Sequence, residues 1–250
     1  FSNSQIMVLQ GCALQLMSVM PNLAVDYTIT DPPYTKHVHE NIRSVNTTGK
    51  IKVKSWEPGF AELEGFEHVP AMLRVTKRWV LSFCALESFG SYSVAAGGQR
   101  SAKGAYVRSG IWRKKQAAPS MCGKLPGNSC EGIAVMHRRA SENMRWNGRG
   151  RHAYWEVDDE IFYNEGRMRE EKQHPTQKPP ALIEKMIEDF TDLGSTVFDP
   201  YAGFGTTAWS ALKLGRKAII CDLDPKWANH CAEMGSRLLC RVAEHLTSTA

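Results

Sequence analysis

Short apolar runs alternate along this chain with longer stretches in which apolar residues recur every three or four positions. The short runs predict buried strands, and the longer stretches predict amphipathic helices. We predict strands at 25–30, 79–84, 196–199 and 218–221, and helices over 13–20, 60–77, 180–193, 206–214 and from 224 onward. Strands that alternate with helices in this way predict an α/β fold with a doubly wound, mostly parallel sheet.

The middle of the chain has a different pattern. Residues 105–112 and 132–137 predict an antiparallel pair of strands joined by a loop rich in proline and glycine. Residues 138–173 are polar and weakly patterned, with many Arg, Gly, Trp and Tyr residues. We therefore divide the chain into two halves of one main domain, 1–137 and 174–250, and a small insert, 138–173.

Positive charge is concentrated in one part of the 250-residue chain. The formal net charge is +5, but the segment 100–151 contains twelve basic residues opposed only by Glu131 and Glu142. That segment alone carries +10, and the remainder of the chain sums to −5. Such a concentration predicts a surface that faces phosphate and binds it in a salt-dependent way. A solvated basic face without a partner is the alternative.

Cysteine usage and hydropathy narrow the cellular setting. The seven cysteines are scattered, form no CxxC pair, and several lie in apolar runs, which predicts reduced thiols in a cytoplasmic protein. No apolar run approaches the ~20 residues needed to cross a bilayer, and no secretion signal is expected. His37 and His39 lack further ligands at metal-binding spacing, so we expect a solvated loop and no metal site.

A glycine-rich turn follows the predicted strand at 196–199. Its sequence is Ala-Gly-Phe-Gly-Thr-Thr, and a helical pattern follows it. Ligands of doubly wound sheets bind beyond the carboxyl ends of strands, where glycines allow close approach and helix N–H groups favour a carboxylate. Asp222 ends the next strand about 20 residues on, the position of a ribose-binding acid in nucleotide-binding folds. The turn therefore predicts a cofactor site, although a turn that only packs a helix on the sheet would use the same glycines.

A second motif, Asp31-Pro32-Pro33-Tyr34, follows the predicted strand at 25–30. In a doubly wound sheet this strand and the strand before the glycine turn can be central neighbours, so both loops would open into one cleft. There Asp31 offers a carboxylate acceptor, and Pro32 offers a carbonyl whose direction Pro33 restricts. Tyr34 offers a ring for stacking. As an isolated turn signal, the motif would be common.

These two motifs resemble the DPPY and FxGxG motifs of the amino-methylating DNA methyltransferases. Because Asp31 precedes the glycine turn, the motif order is similar to that of the circularly permuted β group. Residues 145–155, together with 110–115, resemble the corresponding stretch of phage- and prophage-type members. The resemblance implies a Rossmann-like, class I S-adenosylmethionine-dependent methyltransferase fold in which 138–173 recognises DNA. It also implies methylation of N6 of adenine, because DPPY is more typical of adenine enzymes and SPPY of cytosine-N4 enzymes.

The resemblance further assigns contacts with S-adenosylmethionine. Residues 174–179 match the family motif at the start of the helix that lines the methionine end of the cofactor, with Lys178 neutralising its carboxylate. The family usually has a small residue where Phe204 stands, so this ring must point away from the cofactor or reshape its pocket. The predicted cofactor contacts are Asp31, His174, Thr176, Gln177, Lys178, Phe198, Asp199, Ala202, Gly203, Phe204, Gly205, Thr206, Thr207 and Asp222.

The implied chemistry depends on the lone pair of the amino nitrogen, which is delocalised into the base. Hydrogen bonds from its N–H groups to Asp31 and to the Pro32 carbonyl would direct that lone pair toward the methyl group. The base would be flipped out of DNA and stacked on Tyr34, which is worth roughly 1–3 kcal/mol. We predict Asp31, Pro32, Pro33 and Tyr34 as the catalytic residues.

Basic and aromatic residues are interleaved at 145–155, and a basic cluster follows Trp112. Arginine contacts phosphate or guanine, and aromatic rings stack on bases or insert between them. The alternative is a hairpin whose aromatic rings pack on the main domain. The predicted DNA contacts are Arg113, Lys114, Lys115, Arg138, Arg139, Arg145, Trp146, Arg149, Arg151 and Tyr154.

Other activities remain open from the sequence. They are cytosine-N4 methylation, binding of DNA and cofactor without turnover, and methylation of RNA. An insert of roughly 35 residues predicts a short target site or help from a second subunit, so a homodimer is left open. The resemblance places the protein in the cytoplasm of a bacterium or a phage-infected host cell, associated with the nucleoid.

Overall fold

The computed structural model describes residues 4–33, 65–100, 104–115, 126–138, 144–157 and 177–248. The strands are β1 (Ile6–Gln10), β2 (Tyr27–Thr30), β3 (Trp79–Cys84), β4 (Tyr106–Arg113), β5 (Cys130–His137), β6 (Tyr154–Glu156), β7 (Thr196–Asp199) and β8 (Lys217–Asp222). The helices are α1 (Ala13–Val19), α2 (His68–Val75), α3 (Phe89–Ala95), α4 (Pro180–Phe190), α5 (Thr206–Lys213) and α6 (Pro225–Ser248). None of the helices in these ranges has both the length and the apolar character of a membrane span.

The eight strands form one sheet in the order β1-β8-β7-β2-β3-β5-β4-β6. β1, β8, β7, β2 and β3 pair in parallel, and β6 is parallel to β4. The fold-class prediction of a mostly parallel α/β sheet is therefore confirmed. β5 runs antiparallel to both β3 and β4, so the predicted antiparallel pair is also confirmed.

Alternation along β3 gives the sheet two apolar faces. Trp79, Leu81 and Phe83 belong to a core that includes α4 and α5, whereas Val80 and Cys84 belong to a second core with α1, α2 and α3. Burial of a side chain of this size contributes about 1.5–3 kcal/mol. Because helices cover both faces, a ligand can reach the sheet only at an edge, beyond the ends of its strands.

Two short strands and a helix, namely β1, β6 and α3, were absent from the sequence prediction. In addition, α4 ends at Phe190 rather than at the predicted Gly194, because Thr191 has extended backbone angles of φ −124° and ψ 153°. Gly194, at φ +73°, instead lies in the turn that leads into β7. The described part of the predicted insert, residues 144–157, contributes β6 to the main sheet. Residues 139–143 and 158–173 of that insert lie outside the described ranges.

Candidate active site

A cleft of about 430 Å³, measured to its open mouth, lies where β2 and β7 end. The two strands are neighbours, with Thr28 paired to Phe198, as the sequence predicted. At the last residues of the two strands, Thr30 Oγ1 donates a hydrogen bond to Asp199 Oδ1 at 2.5 Å. Asp31 and Gly203 therefore line the same cleft although they are far apart in sequence.

Asp31 presents its two carboxylate oxygens to different surroundings. Oδ2 accepts a hydrogen bond from the Lys178 ammonium at 2.6 Å. Oδ1 is buried and has no hydrogen-bond partner among the described residues. Burial raises the pKa of Asp31, and the charge of Lys178 partly opposes that rise. The carboxylate thus has one anchored oxygen and one acceptor position for a ligand at the cleft.

Lys178 has two partners within the protein. Its ammonium lies between Asp31 and Glu131, 3.1 Å from Glu131 Oε2. Its predicted contact with the cofactor carboxylate stays a prediction. Burial alone would lower the pKa of Lys178, yet the two carboxylates raise it. Lys178 is therefore held charged by the protein itself.

Glu131 was missed as a site residue. The sequence interpretation counted it only as one of two acids in a basic segment. Burial alone would raise its pKa, but Lys178 and Lys114 outweigh that effect and lower the pKa to about 2. One signal could have identified Glu131. It is an acid within a basic segment, and it lies at the start of a strand predicted to be antiparallel.

The glycine turn packs tightly against α6. Gly205 precedes α5 with φ +88°, and a Cβ added there would lie 2.8 Å from Cys231 Sγ. The Gly203 N–H donates to Asp222 Oδ2 at 2.7 Å, and the Asp224 N–H donates to Oδ1 at 2.9 Å. Asp222 thus connects the turn to the start of α6. Its predicted role as a ribose ligand depends on the lone pairs that these bonds leave available, and it stays a prediction.

Phe204 packs on α6 and also contributes to the cleft. Its ring packs on His230 with the ring centroids 4.6 Å apart and lies near Trp227, and it also lines the cleft. Ala202, Thr206 and Thr207 line the same cleft. Phe198 is fully buried beneath the turn in the second core. The small residues Ala202 and Gly203, close to the first N–H groups of α5, fit a ligand that carries a carboxylate.

Asp199 is a buried acid under the turn. Burial raises its pKa to about 6, although hydrogen bonds from Thr30, Thr207 and the Tyr201 N–H oppose the rise. It is 3% exposed and serves as the acceptor that joins the ends of β7 and β2.

The pH dependence of unfolding tests this burial. Because the pKa of Asp199 in the folded protein lies above its ordinary value of 3.8, its ionisation opposes folding. The cost is absent below about pH 4, grows up to about pH 6, and then amounts to about 3 kcal/mol. Asp199→Asn removes this cost, so we expect the variant to gain stability relative to the wild type from pH 4 to pH 7. Urea unfolding at several pH values measures the free energy of unfolding of both proteins. A difference between them that stays constant from pH 4 to pH 7 would contradict the prediction.

The predicted DNA contacts divide into exposed and packed side chains. Lys114 is 2.6 Å from Glu131, Arg113 pairs with Glu156, and Arg138 is half-buried. Since β4 is antiparallel to β5, residues 113–115 lie at the same edge of the sheet as the cleft. The exposed members of the set are Arg113, Lys115, Arg145, Arg149, Arg151 and Tyr154.

Trp146 does not have the outward position expected of a DNA contact. Its ring is half-buried and packs on Phe190 at a centroid distance of 6.0 Å. The following residue, Asn147, ties this segment to the end of α4 through hydrogen bonds to backbone carbonyls of Glu188 and Thr191. Trp112 and Trp155 are also core residues, at 2% and 4% exposure. The alternative in which these aromatic rings pack on the main domain is therefore correct for all three tryptophans.

Several predicted residues lie outside the described ranges: Tyr34, Arg139, His174, Thr176, and the histidine pair His37 and His39. Pro32 is buried, and Pro33 and Gln177 are half-buried beside the cleft residues Asp31 and Lys178. Within the described ranges, no group of three or more His, Cys, Asp or Glu residues could hold a metal ion.

A family model described as N6_N4_Mtase, DNA methylase, matches residues 25–233. The chain belongs to this DNA methylase family. The match includes Asp31, the glycine turn and Glu131, so the whole cleft lies within the family region.

Relatives of this DNA methylase cover most of its length. YubD of Escherichia coli strain K12, which is named as a methylase, is 27% identical over 221 residues, covering 86% of this chain and 83% of YubD. The crystal structure of the M1.HpyAVI–SAM complex has a TM-score of 0.62 at 17% identity and covers 91% of this chain and 98% of that one. The cytosine-N4-specific PvuII DNA methyltransferase has a TM-score of 0.64 at 14% identity, with coverages of 92% and 86%. These structures share the fold.

Proposed function

We propose that this DNA methylase transfers a methyl group from S-adenosylmethionine to N6 of adenine in DNA, with the target base flipped into the cleft. The observation that supports this proposal most directly is the buried Oδ1 of Asp31, an acceptor without a partner among the described residues. It lies on the cleft that the glycine turn also lines. An amino group supplies the N–H donor that this oxygen lacks.

The cofactor assignment rests on the fit of the turn. Gly203 lines the cleft, Gly205 has a φ of +88° that favours glycine, and Thr206 and Thr207 begin α5 beside the cleft. These residues would hold the carboxylate end of S-adenosylmethionine, and Asp222 would face its ribose. When bound, the cofactor supplies an electrophilic methyl group. A structural relative, M1.HpyAVI, is known as a complex with this molecule.

Asp31 would act on the target amine by hydrogen bonding. Its Oδ1 accepts one N–H, and the Pro32 carbonyl accepts the other, so the nitrogen lone pair turns toward the methyl group. Lys178 keeps the other oxygen of Asp31 engaged at 2.6 Å, which fixes the direction of Oδ1. The raised pKa of Asp31 makes it a better acceptor for the proton released after transfer.

Identification of the methylated nucleoside tests the proposal. Unmethylated genomic DNA is incubated with the protein and S-adenosylmethionine, digested to nucleosides, and analysed by mass spectrometry. We expect N6-methyldeoxyadenosine. The second candidate, cytosine-N4 methylation, is favoured by the fold similarity to the PvuII enzyme and predicts N4-methyldeoxycytidine instead. If no methylated nucleoside forms in DNA, the proposed function is wrong.

A further inference from the structure

Glu131 contacts the cleft residue Lys178 without belonging to either sequence motif. It is the second residue of β5, which runs antiparallel to β3, and its neighbour Gly132 pairs with Cys84, the last residue of β3. The amino end of β5 therefore lies at the edge of the sheet where β2 and β3 end. Side chains from this end of β5 can contact residues that follow β2.

A chain of alternating charges connects Glu131 to Asp31. Lys114 lies 2.6 Å from Glu131 Oε1, Lys178 lies 3.1 Å from Oε2, and Lys178 lies 2.6 Å from Asp31 Oδ2. The ammonium of Lys178 also sits 5.0 Å from the centre of the Phe83 ring, and its side chain is 11% exposed. With the Phe83 ring on one side, the ammonium is held by two carboxylates.

We propose that Glu131 is a positioning residue for methyl transfer: it shares Lys178 with Asp31, so that Lys178 orients the Asp31 carboxylate without neutralising it. This role rests on the proposed function. A lysine paired with Asp31 alone would direct its full charge to that carboxylate and weaken it as an acceptor. Glu131 divides that charge between two acids and keeps Lys178 in place.

The charges around Asp31 determine the direction of the expected effect. Lys178 and Lys114 lower the pKa of Asp31, whereas Glu131 raises it. Asp199 is a further acid nearby, and Cys84 and Tyr92 face Asp31 as neutral groups because burial raises their pKa values. When the charge of Glu131 is removed, the pKa of Asp31 should fall.

The variant Glu131→Gln tests this role, because glutamine retains the shape and one acceptor oxygen but not the charge. We expect the acidic limb of the pH–rate profile for methyl transfer to move about one unit toward lower pH. The rate at the plateau should fall about threefold to tenfold, because a less basic Asp31 carboxylate accepts weaker hydrogen bonds from the target amine. Glu184→Gln is the matched control, since Glu184 pairs with Lys213 on the surface, and it should retain both the rate and the limb.

A second readout keeps this role separate from the proposed function. The ¹³C NMR signal of the Asp31 carboxyl carbon, assigned by its loss in Asp31→Asn, follows ionisation without any turnover. We expect a lower titration midpoint in Glu131→Gln than in the wild type. An unchanged midpoint or an unmoved acidic limb would overturn the proposal, even with a slower rate. A lowered midpoint in a protein whose wild type transfers no methyl group would refute the proposed function, while the electrostatic coupling of Glu131 to Asp31 would still stand.

Discussion

Methyl transfer by an Asp31→Asn variant is expected to be about a thousandfold slower than by the wild type. Asparagine has nearly the same shape, but it has lost the negative charge that polarises the target amine, and its own amide N–H groups would oppose the N–H donors of the base. The pairing of Glu131 with Lys178 remains, so the fold around the cleft should persist. Radiolabelled methyl transfer to DNA measures the rate, and titration calorimetry checks that S-adenosylmethionine still binds.

Asp26→Asn is the matched control for this prediction. Asp26 lies at the opposite end of β2, where it pairs with Lys77 at 2.7 Å and accepts the Thr196 N–H at 2.9 Å. Asparagine retains an acceptor for the Thr196 N–H, so the control should keep near-normal activity. An Asp31→Asn variant with more than about a tenth of wild-type activity would contradict the assigned role, since removal of one such electrostatic group typically costs a hundredfold or more.

The second large effect is on stability: Trp155→Ala is expected to lower the free energy of unfolding by about 3–5 kcal/mol. Trp155 is 4% exposed, and its Nε1 donates to Asp189 Oδ2 at 3.3 Å. Its ring also fills the space beside Gly110, where an added Cβ would lie 2.9 Å from the indole. Alanine would leave both a cavity and a buried acceptor with one bond fewer. Urea unfolding of the two proteins measures the loss.

Tyr154→Ala is the control for Trp155→Ala, because it removes an exposed side chain from the same strand, β6. Tyr154 is 47% exposed and adjoins Trp155 in sequence, so its removal should change stability by less than about 0.5 kcal/mol. If Tyr154 contacts DNA, as the sequence predicts, the same variant should bind DNA more weakly. If Trp155→Ala proved as stable as the wild type, its ring could not be part of the core.

The strands that the sequence predicted are those whose pattern is determined locally. β3 is buried on both faces and is therefore a continuous apolar run, which stands out in any sequence. β6 has only three residues within a polar stretch, and it is a strand because Ile111, Trp112 and Arg113 of β4 supply its partners. β1 likewise depends on pairing with β8 from the other end of the chain. Such long-range pairing leaves little trace in a local pattern.

The residues of the candidate site also divide into those that local motifs predict and those that depend on long-range pairing. Asp31 and the glycine turn follow strands directly, so their place at one edge of the sheet could be predicted from the two motifs and the parallel topology. Glu131 depends on the antiparallel direction of β5, which brings a distant acid to the same edge. The position of Lys178 between Asp31 and Glu131 depends on that acid as well, and the motif around Lys178 gave no sign of this pairing.

The contact between β2 and β7 does not depend on the chain segment that connects β6 to α4. Thr28 pairs with Phe198, and Thr30 binds Asp199, so the sheet itself holds together the two segments that follow β2 and β7, namely Asp31 with its prolines and the glycine turn. The connection from β6 to α4 can thus gain or lose residues without altering the distance across which the methyl group moves. If residues 138–173 recognise DNA, as the sequence predicts, a lineage with this fold could diversify the sites that it marks on a genome while its transfer chemistry stays constant.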